Sequence, residues 1–326
     1  MVLDRYGISI ESTDDSGWRV KADLVGTSKH VNGLRLRTRF FVMHNPKAGP
    51  AARDLYHATL LRLQALGASL EVLETTRHGE GMKAAADAAR SGRYDAIVAA
   101  GGDGTVHDAA EGLIGSSTPL GIIPIGTANV FAREINLPRS PAQLAKALLE
   151  GATRNIAVGE ANGRPFLFVV GVGFDAEAVR IFERESTRKW GQAGYLWPIL
   201  RALLAYEDRS IRVVTPKGDA EGQWIVVTRT RRYAGDFVLA PRAELETAAF
   251  HVVCLRGSGP WTRARQLAAL ALGRLDHDPE VSLEVTDRVR IEGDKTIPVE
   301  IDGEVLGELP LEIGIHPERL AVIIPS

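Results

Sequence analysis

The sequence predicts an α/β domain built on a parallel sheet, followed by a β-rich domain with helical insertions. Three observations carry this. Over residues 39–154, short apolar runs alternate with turns and helical patterns, the strand–turn–helix rhythm of a parallel sheet. Three of those turns are rich in Gly and Asn and fall at the carboxyl ends of strands. From about residue 155, segments of β-branched and aromatic residues separated by turn residues take over, as expected of antiparallel sheet.

Composition bounds the rest. A chain of 326 residues is comfortable for two domains, and 45% hydrophobic with 25% charged residues is ordinary for a globular protein. Lys and Arg number 39 against 41 Asp and Glu, a net charge of -2, so no polycationic surface calls for nucleic acid. The single cysteine, Cys254, excludes an internal disulfide and a cysteine zinc cluster and suits a reducing cytoplasm. Met1-Val2-Leu3-Asp4-Arg5-Tyr6 lacks a basic-then-apolar signal pattern, and no run reaches the ~18 apolar residues of a spanning helix. A cytoplasmic protein is expected, with any membrane contact peripheral and at the inner face.

Residues 1–38 read as an appendage: weak alternation at Ile8, Ile10, Trp18 and Val20, with a turn at Asp14-Asp15-Ser16-Gly17. The first domain spans 39–154. Phe40-Phe41-Val42-Met43 is a buried strand that ends at Asn45-Pro46-Lys47-Ala48-Gly49. Residues 51–66 repeat apolar side chains on one helical face, and Leu70–Thr75 alternates as a strand. A helix is expected over Met82–Arg90, a strand over 95–100, and a strand at Leu120–Pro124 that ends at Gly126-Thr127-Ala128-Asn129. Ser140 and Pro141 cap and open a further helix. The second domain spans 155–313, with helical insertions near 176–206 and 261–272, and the tail 314–326 is expected to return to the first domain.

The chemistry centres on Gly101-Gly102-Asp103-Gly104-Thr105. A strand enters three glycines and an acid, and a helix leaves. Glycines admit backbone N–H groups close to a ligand, and the helix N-terminus adds a positive dipole end, which suits phosphate. Asp103 among those donors would repel a phosphate unless a divalent cation or a hydroxyl lies between, so metal–nucleotide chemistry is implied. Neither GxxxxGK[ST] nor GxGxxG occurs, so a P-loop and a dinucleotide fold are unsupported. Taken singly, the Asn45 and Gly126 turns are ordinary turns; together with the glycine loop they mark one edge of one sheet.

The matching series Asn45-Pro46 to Gly49, Thr75 with Gly79, Gly101–Thr105, Pro124–Asn129 with Arg133, Gly171-Val172-Gly173-Phe174-Asp175 and Ile301-Asp302-Gly303-Glu304 resembles the catalytic domain shared by diacylglycerol, sphingosine and ceramide kinases and bacterial lipid kinases. The order and spacing fit over about residues 40–326; the GGDGT string alone also resembles NAD kinases and phosphofructokinases. The resemblance implies a Rossmann-like nucleotide domain followed by a β-sandwich lipid domain. It implies ATP and Mg²⁺, with nucleotide contacts at Asn45, Pro46, Lys47, Gly49, Thr75, Gly101, Gly102, Asp103, Gly104, Thr105, His107, Gly126, Thr127, Asn129 and Glu304. Asp302 would take the proton of the acceptor hydroxyl, and Asp103 would position Mg²⁺ or that hydroxyl. As plain structure, Asp302-Gly303 is also a hairpin turn. Diacylglycerol is the default acceptor and a ceramide or sphingoid base the alternative. A soluble-metabolite kinase of the NAD type and a catalytically silent lipid-binding homologue are the rivals. A homodimer is allowed.

Two surfaces bear on lipid. The apolar stretch from Trp190 to Tyr206 reads as an amphipathic helix packed on the β domain or as an interfacial helix, with Tyr195 and Trp197 as lipid-side residues. Arg229, Arg231 and Arg232 read as a solvated strand face. The chain also departs from the family: Val130 replaces an Asp, Ala157 replaces the acid of an Ile-Asp-x-Gly signature, and Ala243–Phe250 with Thr247 replaces an Asp-Gly-Leu pattern that binds a structural Mg²⁺ in several bacterial members. No such structural metal is expected.

Overall fold

The structure, a computed structural model, describes residues 9–13, 17–21, 30–31, 34–46, 50–75, 79–185, 196–234, 236–305 and 307–325. The chain divides into two compact units, Met1–Ile156 with Glu318–Ser326, and Ala157–Pro317.

The first unit is built on a six-stranded sheet in the order Ser69–Glu74, Arg39–His44, Ala96–Gly101, Leu120–Pro124, Leu320–Ile324, Ala152–Ile156. The first five strands are parallel, and Ala152–Ile156 runs antiparallel at the edge. Ala96–Gly101 is buried at every residue, because a parallel strand in mid-sheet is covered on both faces, and its run of small and branched apolar residues follows from that. Helices α1 (Pro50–Ala65) and α5 (Pro141–Glu150) cover one face, where Tyr56, Leu63, Leu148 and Leu149 pack with Phe40, Val42, Val98 and Ile123. The Ser140 hydroxyl accepts the Gln143 N–H and Pro141 fills the first turn of α5, so its start is encoded locally. Helices α2 (Glu80–Arg90) and α3 (Asp103–Leu113) pack against each other so closely that a Cβ on Gly112 would strike the Met82 carbonyl. A five-residue α4 (Val130–Glu134) follows the Gly126 turn. Two hairpins precede the sheet, Ser9–Thr13 with Gly17–Lys21 and His30–Val31 with Leu34–Arg35; the expected turn residues 14–16 lie outside the described residues.

The second unit is a sandwich of two six-stranded antiparallel sheets. One runs Arg164–Phe166, Gly159–Ala161, Leu311–Ile315, Arg288–Glu292, Ile211–Thr215, Gly218–Gly222; the other Val281–Thr286, Phe250–Leu255, Trp224–Thr228, Val169–Gly173, Val299–Ile301, Glu304–Val305. Phe166, Val213, Ile291 and Ile313 of the first meet Val170, Ile225, Val252 and Val299 of the second in one core. The alternate residues of the second sheet, Trp224, Val226, Val253 and Leu255, face outward against Phe174, Ala202, Tyr206 and Leu270. These come from α6 (Phe174–Glu185), from α7 (Leu196–Ala205) and the residue that follows it, and from α8 (Pro260–Ala271), so the helical insertions form a third layer. That is why Trp224–Thr228 and Phe250–Leu255 are apolar without alternation.

One expectation is overturned. Arg229 does not belong to a solvated face: it is 1% exposed. Its guanidinium donates to the carbonyls of Leu245 (3.0 Å), Thr247 (3.3 Å) and Ala249 (3.4 Å), drawing the 245–249 segment onto the end of its strand. A buried cation is tolerated where carbonyl dipoles replace its water.

Candidate functional site

The carboxyl ends of the parallel strands are in register: His44 stands opposite Glu74 on one side and Ala100 on the other, and Gly101 opposite Pro124. Four turns therefore leave the sheet at one level. The ladder runs on into them, with Asn45 N–H donating to the Ala100 carbonyl (3.0 Å), Thr75 N–H to the His44 carbonyl (2.8 Å) and Ile125 N–H to the Gly101 carbonyl (3.1 Å). Thr75 is buried, and its hydroxyl also reaches the His44 carbonyl at 3.4 Å. Gly79 caps α2 in the left-handed region and its N–H donates to Asp108. Pro46 lies in this set, whereas Lys47 and Gly49 lie outside the described residues.

The glycines of the loop serve different ends. A Cβ on Gly101 would collide with the Thr105 side chain, which folds back over it. A Cβ on Gly126 would collide with the Gly102 Cα, so the two loops touch backbone to backbone. At Gly104, exposed in the first turn of α3, a Cβ would meet nothing among the described residues. Packing among the described residues explains two of these glycines and not Gly104. Its N–H lies at the positive end of α3, as a phosphate cradle requires.

Asp103 opens α3, and its Oδ1 accepts the Phe131 N–H at 3.4 Å, coupling the glycine loop to the start of α4. The Asn129 side chain closes on its own turn, accepting from Gly126 N–H (2.9 Å) and donating to the Gly126 carbonyl (2.7 Å). Arg133 Nε donates to the Ala128 carbonyl at 2.8 Å. These two residues hold the turn that presents exposed Thr127. His107 is half-buried within α3.

In the second unit, Ile301 pairs with Glu304 across a tight turn at Asp302-Gly303, both in the left-handed region (φ 50° and 86°). Asp and Gly are the residues that such a turn favours. The Asp302 carboxylate accepts three successive backbone amides, Leu167 (2.7 Å), Phe168 (2.8 Å) and Val169 (2.9 Å). Glu304 is half-buried on the returning strand. Trp197 is half-exposed on α7, and Tyr195 lies outside the described residues.

Three acidic or phenolic groups form a cluster that sequence reasoning does not assemble. Asp175 and Glu300, both buried, and half-buried Tyr233 lie beside the Asp302 turn, drawn from positions up to 125 residues apart. Asp175 belongs to the Gly171–Asp175 string, but nothing local ties it to Glu300. His44, stacked on Tyr56 with ring centroids 4.0 Å apart, was likewise silent in the sequence.

Comparison with known proteins agrees with this architecture. Residues 39–161 match the diacylglycerol kinase catalytic domain, and residues 168–324 match the YegS C-terminal NAD kinase beta sandwich-like domain. The chain is 30% identical over 292 residues to a Pseudomonas aeruginosa protein named probable lipid kinase YegS-like, covering 87% of this chain and 93% of that one. It is 26% identical over 291 residues to a Bacillus subtilis diacylglycerol kinase, covering 87% and 96%. A crystal structure of a candidate diacylglycerol kinase from Bacillus anthracis shares the fold, with a TM-score of 0.74 at 21% identity over 89% of this chain and 98% of that one. The chain belongs to the diacylglycerol kinase and YegS-like lipid kinase family, a family of phosphotransferases.

Proposed function

We propose that this chain transfers the γ-phosphoryl group of ATP to a primary hydroxyl of a membrane lipid, with diacylglycerol as acceptor and phosphatidic acid as product. The observation that carries this reading is the single carboxyl edge at which the Asn45, Thr75, Gly101 and Gly126 turns leave the sheet, with Gly104 open at the N-terminus of α3. Backbone N–H groups of the 101–105 loop would hold the nucleotide phosphates. Among the described residues no three His, Cys, Asp or Glu side chains gather as a metal cage. One carboxylate, Asp103, at the phosphate loop fits Mg²⁺ that is held mainly by substrate phosphates and water. Bound there, Mg²⁺ would neutralise charge building on the phosphoryl oxygens.

Asp302 accepts the hydroxyl proton as the lipid oxygen bonds to the γ-phosphorus and the bond to the β-phosphate oxygen breaks, leaving ADP. Phosphoryl transfer has a loose transition state, so a positioned acceptor matters more than a strong one. The three backbone donors of residues 167–169 supply that positioning. The α7 residues Trp197, Leu200 and Leu204 and the α8 residue Trp261 are exposed apolar groups, and they support peripheral contact with a bilayer at the face where ATP is available.

The test is labelled ATP offered with diacylglycerol, ceramide, sphingosine or NAD⁺. Transfer to diacylglycerol, abolished in Asp302→Asn, is expected. Transfer to ceramide or sphingosine alone would reassign the acceptor, and transfer to NAD⁺ alone would reject a lipid kinase.

A further inference from the structure

Beside the Asp302 turn lie two carboxyl groups that phosphoryl transfer does not require. Glu300, 2% exposed, is two residues before Asp302, and Asp175, also buried, is in the first turn of α6. Glu300 stands opposite Gly171 in the sheet, and a side chain at Gly171 would strike Asp175 Oδ2 and Glu300 Oε1 together. The two acids thus meet where the strand carries no side chain. Asp175 Oδ1 accepts the Tyr233 hydroxyl, and Glu300 Oε2 accepts the Gly303 N–H at 2.7 Å. Among the described residues Asp175 Oδ2 is left buried with no donor unless a proton stands between the carboxyls. Two carboxylates within hydrogen-bond range away from water do not both ionise.

We propose that Glu300 is held protonated, donating its Oε1–H to Asp175 Oδ2, and that this acid pair is the positioning device for the Asp302–Gly303 turn. Through Gly303 N–H, the pair holds one side of the turn; the 167–169 amides hold Asp302 from the other. Glu300 is a positioning residue that acts through Asp302, and only that last link rests on the kinase reading.

The electrostatics agree. Burial first, and the Asp175 charge second, push Glu300 well above the usual carboxylate range. Burial also raises Asp175, against the opposing hydrogen bonds from Tyr233 and Glu300. Tyr233 is pushed far up by burial and by Asp175, so its hydroxyl stays a donor. The groups acting on Glu300 are Asp175 from α6 and Asp302 from its own hairpin, with Tyr233 behind Asp175; all are acids.

Glu300→Gln, Glu300→Ala and the wild type separate the possibilities. Gln keeps both bonds: its oxygen accepts from Gly303 and its amide donates to Asp175. Turnover within a few-fold of wild type is expected for Glu300→Gln. For Glu300→Ala, a fall in kcat of roughly tenfold to a hundredfold at little-changed KM for ATP is expected, the cost of a displaced catalytic group. Exchange of the Gly303 amide should quicken in Glu300→Ala and not in Glu300→Gln, a readout that needs no substrate. Melting against pH reads the proton itself. As pH rises past the ordinary glutamate value of 4.5, the unfolded chain releases a proton that native Glu300 keeps, so wild-type stability falls relative to the Gln variant. The Tm difference should therefore widen in favour of Glu300→Gln between pH 4.5 and 8. A difference that is flat with pH, or a Gln variant as impaired as Ala in exchange or turnover, overturns the inference. If the wild type phosphorylates no lipid, melting and exchange still decide it.

Discussion

Gly104 and Gly126 belong to neighbouring phosphate-type turns, yet they answer different demands. Gly126 is glycine because the Gly102 backbone lies against it, whereas no atom of the described residues requires glycine at position 104. Gly126→Ala should destabilise by about 1–3 kcal/mol, the usual cost of overpacking. Gly104→Ala should stabilise by about 0.5–1 kcal/mol through helix propensity. It should also weaken ATP binding by about 1.5 kcal/mol, one charge-assisted hydrogen bond to phosphate. Urea melts and calorimetric titration with ATP check the pair; unaltered ATP affinity in Gly104→Ala would remove the loop as phosphate cradle. Arg229 poses a second residue-scale question. Its side chain stands where a cation is called for by the Leu245, Thr247 and Ala249 carbonyls. Arg229→Met should cost about 3 kcal/mol, because buried acceptors lose their donor. Chelator should leave the melting of nucleotide-free wild type unmoved, and a chelator-induced fall in Tm would contradict Arg229 as the loop's cation. Three arginines among four residues look like a solvated face in the sequence; the burial of Arg229 depends on a loop that folds back sixteen to twenty residues later.

At the scale of elements, the strands and their turns were legible because their signals are local. Asn45, Gly101 and Gly126 each end an apolar run, and Asp302-Gly303 is the dipeptide that a two-residue hairpin favours. The Asp175–Glu300 meeting was not legible, because only the pairing of Val169–Gly173 with Val299–Ile301 brings them together. Helix α7 lies between these cases. Its sequence is apolar around most of its circumference, and two readings fit it. The structure shows both faces in use: Ala202 is buried in the helical layer, while Trp197, Leu200 and Leu204 are open, Leu204 to 80%. Trp261 on α8 is 88% exposed. Burying such side chains in a bilayer interface gains roughly 2 kcal/mol apiece. Trp197→Ser combined with Leu204→Ser should therefore cut vesicle binding well over tenfold in a sedimentation assay, with Tm and turnover of a short-chain, water-dispersed acceptor retained. Undiminished vesicle binding would assign the membrane contact elsewhere.

At the scale of the whole molecule, the two units should respond differently to acid. His44 in the first unit and His251 in the second are both buried, and burial lowers the pKa of each below the ordinary 6.5. A nearby Glu74 opposes this shift at His44 without reversing it. The unfolded chain then binds protons that the native chain refuses, so stability present above about pH 6.5 is lost as pH falls through that value. The Glu300–Asp175 pair has the opposite sign: its raised folded values mean stability is regained as pH falls toward the ordinary carboxylate range. In the second unit the two effects offset each other between pH 6.5 and 4.5, but in the first unit His44 has no such counterweight in the acid pair. Moving from pH 7 to pH 5 should therefore weaken protection of the Arg39–His44 and Ala96–Gly101 amides more than that of Trp224–Thr228 and Phe250–Leu255. Hydrogen exchange by mass spectrometry, corrected for intrinsic rates, checks this. Equal loss in both units would contradict it. His44→Phe, which keeps the stacking on Tyr56 and cannot titrate, should restore protection in the first unit at pH 5.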